Sequence, residues 1–307
     1  MVMRVLVTGA DGFIGRYTLP LLVQAGFEVH ALCWLGETSQ INGVNWHKLD
    51  LMDCHAVNAL LDELKATHLL HLAWYTVHGK FWHASENLQW VACSLNLLRC
   101  FVGHGGRRVL MAGSCAEYDW SRGHCSELET ECNPTSLYGT SKHALYQIAE
   151  AYCAQNSVSF AWGRIFFLYG PGEAGGRFVP AIINGLLRQE AVPCSDGSQV
   201  RDFMHVSDVA SAFVRLLNSD VQDAVNIASG QAYTLKQIGE RLMELVEGRG
   251  QIDFGSLPNR PDDPDVLTAD VRRMQHELNW SPSLTLDEGL EDTIKWWQTR
   301  LEAVHVT

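Results

Sequence analysis

Val5-Leu-Val-Thr-Gly-Ala-Asp-Gly-Phe-Ile-Gly15 joins a short apolar run to three glycines, Gly9, Gly12 and Gly15, and an amphipathic segment starts at once. The pattern predicts a strand, a tight turn and a helix. Glycine adopts backbone angles closed to other residues and lets the main chain approach a ligand closely. Free amides at a helix N-terminus, reinforced by its dipole, attract an anion such as a pyrophosphate. A plain strand-to-helix turn carries the same glycines, so the chemistry must be read from residues further along the chain.

The chain has 307 residues, enough for one large domain or two lobes with a sizeable core. Apolar residues make up 47% and charged residues 19%, as in an ordinary globular protein. The net charge of −12, with a pI near 5.5, repels polyanions and argues against nucleic-acid or anionic-membrane partners. No apolar run approaches the roughly 20 residues that span a bilayer, and the first one lacks the layout of a signal peptide. The nine cysteines are scattered without a CxxC pair, which fits reduced thiols in the cytoplasm. The thirteen histidines are also scattered, and no metal-ligand spacing is present, so no metal is expected.

Downstream, a rhythm of strand, glycine turn and helix continues. Gly26 stops the first helix, and residues 27–33 form the second strand, ending at Cys33 and Trp34. In a dinucleotide-binding sheet an acid at that position holds the ribose hydroxyls. Cys33 neither repels nor binds a 2′-phosphate, which leans the cofactor toward NADP(H) over NAD(H). Residues 44–53 are a third strand ending in acids. Asp50 can accept from an adenine amino group, or it can cap the helix after Asp53. Residues 67–73 are a buried strand with Trp74 and Tyr75 at its tip. A helix over 85–102 and a strand over 108–113 follow, with Ser114 just beyond. Residues 159–167 form the sixth strand, and the rhythm predicts an α/β fold, a doubly wound parallel sheet. Past Tyr169-Gly-Pro-Gly172 the rhythm loosens: a helix over 178–187, a helix after 201–210, a strand near 223–230, and a Thr234/Gln237-capped helix to Val246. Residues 260–264 read as a proline-stiffened loop.

Tyr138 and Lys142 lie one turn apart on a predicted helix and share a face. An ammonium near a phenol stabilises phenolate, so the Tyr138 pKa is expected to fall from about 10 toward neutral. Tyr138 then suits acid/base work on a carbonyl/alcohol pair. Ser114, at a strand tip in the same crevice, can donate to the reacting oxygen.

Taken together, these residues resemble an extended short-chain dehydrogenase/reductase of the nucleotide-sugar epimerase/dehydratase group. The resemblance rests on the glycine turn, Asp50-Leu-Met-Asp53, His71-Leu-Ala73, Ser114, Tyr138-xxx-Lys142, Tyr169-Gly-Pro-Gly172, Arg201-Asp-Phe-Met-His205, Arg260 with Asp263, and Ala269-Asp270. It implies a Rossmann-type lobe (1–168 plus 206–228) and a smaller interwoven C-terminal lobe (169–205 plus 229–307) for a nucleoside-diphosphate sugar. By the same resemblance, Ser114, Tyr138 and Lys142 are catalytic. The dinucleotide would contact Gly9, Asp11, Gly12, Phe13, Ile14, Gly15, Cys33, Asp50, Leu51, Leu72, Ala73, Trp74, Tyr138 and Lys142. The sugar nucleotide would contact Trp74, Ser114, Phe167, Arg201 and Arg260, the two arginines on its diphosphate. Family members pair two helices across a homodimer, here 85–102 and 138–153, where Cys93, Ala149 and Cys153 suit either a bundle or the chain's own core.

Three departures narrow the chemistry. The group's 4,6-dehydratases carry an acid pair just after the Ser114 position, and this chain has Cys115-Ala116, with Glu117 one residue further on. Phe167 replaces an asparagine that contacts the sugar phosphate. The second-strand acid is missing. An epimerase uses the serine, tyrosine and lysine to remove a hydride at sugar C4 and return it to the other face, whereas a reductase delivers one hydride and releases its cofactor. A resident NAD+ benefits from the missing acid, and Trp74, Tyr75, Phe81, Trp82, Phe166 and Phe167 form an apolar neighbourhood suited to a deoxygenated sugar. The expectation is therefore reduction of a nucleotide-linked 4-keto-6-deoxyhexose, with 4-epimerisation as the alternative and a noncatalytic NAD(P)-sensing regulator as the third reading.

Overall fold

The computed structural model describes residues 2–34, 41–247, 250–260 and 263–305. The first half alternates strand and helix except between β2 and β3: β1 (Arg4–Thr8), α1 (Gly15–Gln24), β2 (Glu28–Cys33), β3 (Val44–Lys48), α2 (Cys54–Leu64), β4 (His68–His71), α3 (Glu86–Gly103) and β5 (Arg108–Ser114). Then come β6 (His124–Cys125), α4 (Leu137–Gln155), β7 (Ser159–Ile165), β8 (Phe167–Tyr169), α5 (Phe178–Leu187), β9 (Ala191–Cys194), β10 (Val200–Arg201), β11 (Phe203–His205), α6 (Val206–Leu217) and β12 (Asp223–Ile227). The remainder is β13 (Tyr233–Thr234), α7 (Leu235–Leu245), β14 (Gln251–Phe254), β15 (Val266–Ala269), α8 (Arg272–His276) and α9 (Leu286–His305).

Seven parallel strands form the central sheet in the order β12-β7-β5-β4-β1-β2-β3. Both faces are covered, so the middles of the inner strands are apolar: Val5, Leu6, Leu69, Leu70, Val109 and Leu110 are fully buried. One face packs on α1 and α6 through Leu19, Leu22, Val209 and Phe213. The other packs on α2, α3 and α4 through Leu61, Leu97, Phe101, Leu145 and Cys153. The strand order reverses between β4 and β1, which opens a crevice beyond their C-terminal ends where such sheets bind ligands.

A second core joins α5, α7 and α9 through Ile182, Ile183, Ile238, Leu242, Leu290 and Ile294. The sequence predicts no element at 286–305. Its apolar stripe is thin, with Leu290, Ile294 and Trp297 spaced one turn apart among charged residues, and tertiary packing supplies the rest. Two segments also depart from the expected lobe boundaries. His124–Cys125 (β6) pairs with β15 in the smaller four-stranded sheet, and Met274 and Leu278 return to the core beneath α6. Short pairings and a five-residue helix leave too little pattern in the sequence to assign either. The predicted caps form as expected in α7, where Thr234 and Gln237 make a capping box. Asp53 caps α2, accepting from the His55 and Ala56 amides, and Asp50 instead accepts from the Met52 amide at 2.9 Å. The Pro261–Asp262 part of the expected loop lies outside the described residues.

His71 ties the two sides of the crevice together. Its ring bridges the Thr8 hydroxyl at 2.6 Å and the Ser94 hydroxyl at 2.8 Å, in the buried interior. Burial, with the nearby Lys142 ammonium adding repulsion, holds its pKa down at about 3. A histidine kept neutral in the folded state binds fewer protons than in the unfolded chain, so its contribution is complete above pH 6.5 and is lost as pH falls toward 3. Urea unfolding should show stability dropping between pH 6.5 and 5 by up to roughly 1.4 kcal/mol per unit from this group. In His71→Asn that part of the slope should disappear.

Candidate active site

Ser114 closes β5 and opens a short turn of 3-10 helix, Cys115–Glu117. Its hydroxyl accepts from the Ala116 amide at 3.2 Å, and the Glu117 carboxylate accepts from the Ser114 amide at 2.8 Å. Glu117 is fully buried and also accepts from Trp162 Nε1 at 2.9 Å and Arg164 Nε at 2.9 Å. A buried carboxylate–guanidinium pair therefore fixes the backbone behind Ser114, and no oxygen of Glu117 is left for the crevice. Cys115 beside it is buried, and burial pushes its thiol pKa up, away from the thiolate a catalyst would need.

Gly139 decides how α4 meets this turn. A Cβ there would stand 2.2 Å from the Ala116 carbonyl oxygen and 2.9 Å from Pro134. Only hydrogen lets the first turn of α4, capped by Ser136 on the Gly139 amide, lie against Cys115–Glu117. That approach brings Tyr138 opposite Ser114. Tyr138 keeps part of its surface open, yet the protein around its hydroxyl pushes its pKa up, with the Ser114 hydroxyl partly offsetting the effect. This reverses the expectation that Lys142 lowers it. Lys142 is itself buried, its ammonium donating to the Ala112 carbonyl at 2.9 Å and lying 3.7 Å from the centre of the Trp74 ring. Burial brings its own pKa down to about 7, the Glu117 charge opposing, so desolvation dominates at both groups.

Aromatic rings surround the phenol. Phe81 lies 4.9 Å from it, Trp82 5.7 Å and Trp74 6.5 Å, all edge-on, and Trp120 packs 6.0 Å from Trp82. Two residues expected in this group lie elsewhere. Phe166 is buried against Tyr118, and Phe167 stacks on Phe203 at 5.4 Å. Trp74, expected at the ligands, is buried at the crevice, and its indole nitrogen is committed to Asn87.

The glycine turn fits a pyrophosphate cradle. Gly9 has φ +66°, a Cβ on it would meet the Ala73 amide nitrogen at 2.8 Å, and one on Gly15 would meet the Gly9 carbonyl at 2.1 Å. Backbone therefore packs on backbone across the β1 and β4 tips, with Leu72 and Ala73 forming the far wall. Among the described residues the Phe13 and Ile14 amides have no partner ahead of α1, which leaves two donors for an anion. Leu51 is buried beneath the crevice and Asp50 is exposed. Cys33 is buried at the end of β2, in register with Lys48 of β3, and Asp11 lies near its thiol. Lys48 is a cation at the adenosine end that sequence inspection missed, because strand register alone brings it there.

The two arginines expected on a diphosphate behave differently. Arg260 is exposed. Arg201 is buried beneath Phe167, 5.4 Å from its ring, with Nη2 donating to Asp263 at 2.6 Å and Nη1 to the Val200 carbonyl at 2.8 Å. Asp202 does not join them; it holds the Ser229 and Gly230 amides. An anion recruiting Arg201 must compete with Asp263. Arg177 is a further missed cation, its guanidinium 5.4 Å above the Phe81 ring on the crevice side of Tyr138. It follows the Tyr169-Gly-Pro-Gly172 turn, and that position was the available signal. Beside it Glu173, half-buried, has its pKa raised to about 8 by desolvation, with Arg177 opposing, so it adds little negative charge below that pH.

Residues 5–228 match the family model described as the NAD dependent epimerase/dehydratase family. UDP-glucuronic acid decarboxylase 1 of Danio rerio is 28% identical over 312 residues, covering 97% of this chain and 73% of that protein. UDP-glucose 4-epimerase of Bacillus subtilis (strain 168) is 26% identical over 334 residues, covering 96% of each. The solved structure of MoeE5 in complex with UDP-glucose and NAD is 31% identical, with a TM-score of 0.86 over 97% of this chain and 99% of that one.

Gly139→Ala should destabilise the chain by roughly 3 kcal/mol, since the obstructing atom is backbone. Urea midpoints of the variant and the parent measure this directly, and an unchanged midpoint would mean α4 does not lie against the Cys115–Glu117 turn.

Proposed function

The chain belongs to the NAD dependent epimerase/dehydratase family, and from that premise we propose that it reduces a nucleotide-linked 4-keto-6-deoxyhexose, with Tyr138 as proton donor. The observation that carries this reading is a site with one acid and no second carboxylate at Ser114. Burial raises the Tyr138 and Cys115 pKa values, and Glu117 is locked to Arg164. Burial keeps this phenol in its protonated form, which is the form a reductase starts from, whereas an epimerase starts from the phenolate. Reduction needs the proton given; epimerisation must first take it.

Held by the glycine turn and the free Phe13 and Ile14 amides, a dinucleotide would supply the hydride for the sugar carbonyl. Ser114 orients that carbonyl, and Tyr138 protonates the oxygen as charge develops on it. The rings of Phe81, Trp82 and Trp120 offer an apolar wall that favours a methyl over a hydroxymethyl group. Arg177 and Arg260, with Arg201 behind them, supply positive charge for the diphosphate. Lys48 beside Cys33 supports NADP(H), although MoeE5 is described with NAD.

A second reading, NAD-dependent 4-epimerisation, is favoured by the likeness to UDP-glucose 4-epimerase of Bacillus subtilis. The regulator reading has no observation in its favour, since a sensor needs no proton donor. For assembly, we propose a homodimer through the outer faces of α3 and α4, where Leu88 and Ile148 are exposed. Cys93, Ala149 and Cys153 are buried in the chain's own core and do not form that face. The nine cysteines are free, which supports a reducing, cytoplasmic setting. Among the described residues no helix is long and apolar enough to cross a membrane.

Denaturing the purified protein and identifying any released nucleotide separates the two reactions. The reductase reading predicts an empty or substoichiometric site and NADPH consumption on adding the keto sugar, and stoichiometric NAD+ would overturn it. Tyr138→Phe should lower turnover by roughly 10²–10⁴-fold with cofactor affinity nearly unchanged. Lys48→Glu should weaken NADPH binding and leave NADH binding almost intact, as measured by fluorescence titration.

A further inference from the structure

We propose that Trp74 is the positioning residue of Lys142, with Asn87 fixing the indole in place. The geometry is closed at every contact. Trp74 Nε1 donates to Asn87 Oδ1 at 2.9 Å, and Asn87 Nδ2 donates to the Phe81 carbonyl at 2.7 Å and the Ala84 carbonyl at 2.9 Å. Asn87 is fully buried and Trp74 nearly so, which leaves the ring no freedom to turn. Its face covers the Lys142 ammonium at 3.7 Å, while the Ala112 carbonyl takes one of the three N–H donors.

A lysine this deep loses most of its hydration, and only opposing charge or an electron-rich ring restores part of it. The charged or titratable groups around it are Glu117 from the turn after β5, His71 from β4 and Tyr138 from its own helix. Glu117 is partly offset by Arg164, and His71 is neutral and repelled by the ammonium. The indole face therefore joins the Ala112 carbonyl and the partly offset Glu117 charge in holding the lysine as a cation beside the phenol. The aromatic rings at the site then divide into two kinds: Phe81 and Trp82 face the phenol, and Trp74 faces the lysine.

The catalytic consequence rests on the function proposed above, but the placement of Lys142 does not, and one experiment reads both. Cofactor-free protein carrying 13C-labelled lysine is titrated by NMR, with the Lys142 signal assigned by its loss in Lys142→Met. Trp74→Leu keeps the site apolar and removes the ring; the Lys142 midpoint should fall by roughly one pH unit. Trp74→Phe retains an aromatic face and should recover at least half of that shift. A Lys142 midpoint that is unchanged or higher in a folded Trp74→Leu protein overturns the proposal. If circular dichroism shows the leucine variant unfolded, Trp74→Met provides the same comparison. The pH profile of kcat with NADPH and a keto sugar is measured on the same variants. A parallel shift in that profile supports the catalytic consequence. A shifted Lys142 midpoint in a chain inactive on every nucleotide sugar leaves the placement standing and removes the functional reading alone.

Discussion

Where the first turn of α4 crosses the tip of β5, the Ala116 carbonyl oxygen occupies the place a methyl group on Gly139 would need. That backbone-on-backbone contact sets the distance between Ser114, on a strand, and Tyr138 and Lys142, on a helix. Strand and helix come from separate parts of the chain, and a second contact, the Lys142 ammonium on the Ala112 carbonyl, reinforces the first. The turn they meet on is stiffened from behind by Glu117, which satisfies the Ser114 amide, the Trp162 indole and the Arg164 guanidinium together. Removing one member of such a pair leaves a buried charge without compensation, which is why it works as a brace and not as a reagent.

Burial is the second theme. His71, Lys142 and Cys115 sit where water is excluded and Tyr138 is half-buried, and each is driven toward its uncharged form. The consequence for chemistry is directional. A neutral phenol beside a serine hydroxyl offers a proton, while a neutral thiol and a tethered carboxylate offer no base. Positive charge is kept instead at the rim, on Arg177 and Arg260, where an anionic nucleotide can meet it on a chain whose overall charge is −12.

Much of the fold is legible in the sequence because periodicity and glycine placement are local properties. β1, the glycine turn and the start of α1 are readable from Val5–Gly15, and the buried strands from their apolar runs. What stays hidden depends on register and depth. Lys48 reaches Cys33 only through the pairing of β3 with β2, and β6 joins the smaller sheet through two residues. The expected role of Lys142 on Tyr138 fails because spacing predicts which face two side chains share but not how much water each retains. Trp74, expected against ligands, has its polar atom occupied by Asn87, a partner that no motif in the sequence identifies.

The family fixes the class of enzyme, and the reduction proposed above rests on Tyr138 and the lack of a free carboxylate beside Ser114. The most direct test uses NADPH carrying deuterium at the transferable position of its nicotinamide, mixed with a nucleotide-linked 4-keto-6-deoxyhexose, with the product sugar weighed by mass spectrometry. Reduction predicts one deuterium per product molecule and one cofactor oxidised for each. A product free of deuterium, formed with no net change in the added cofactor, would contradict it.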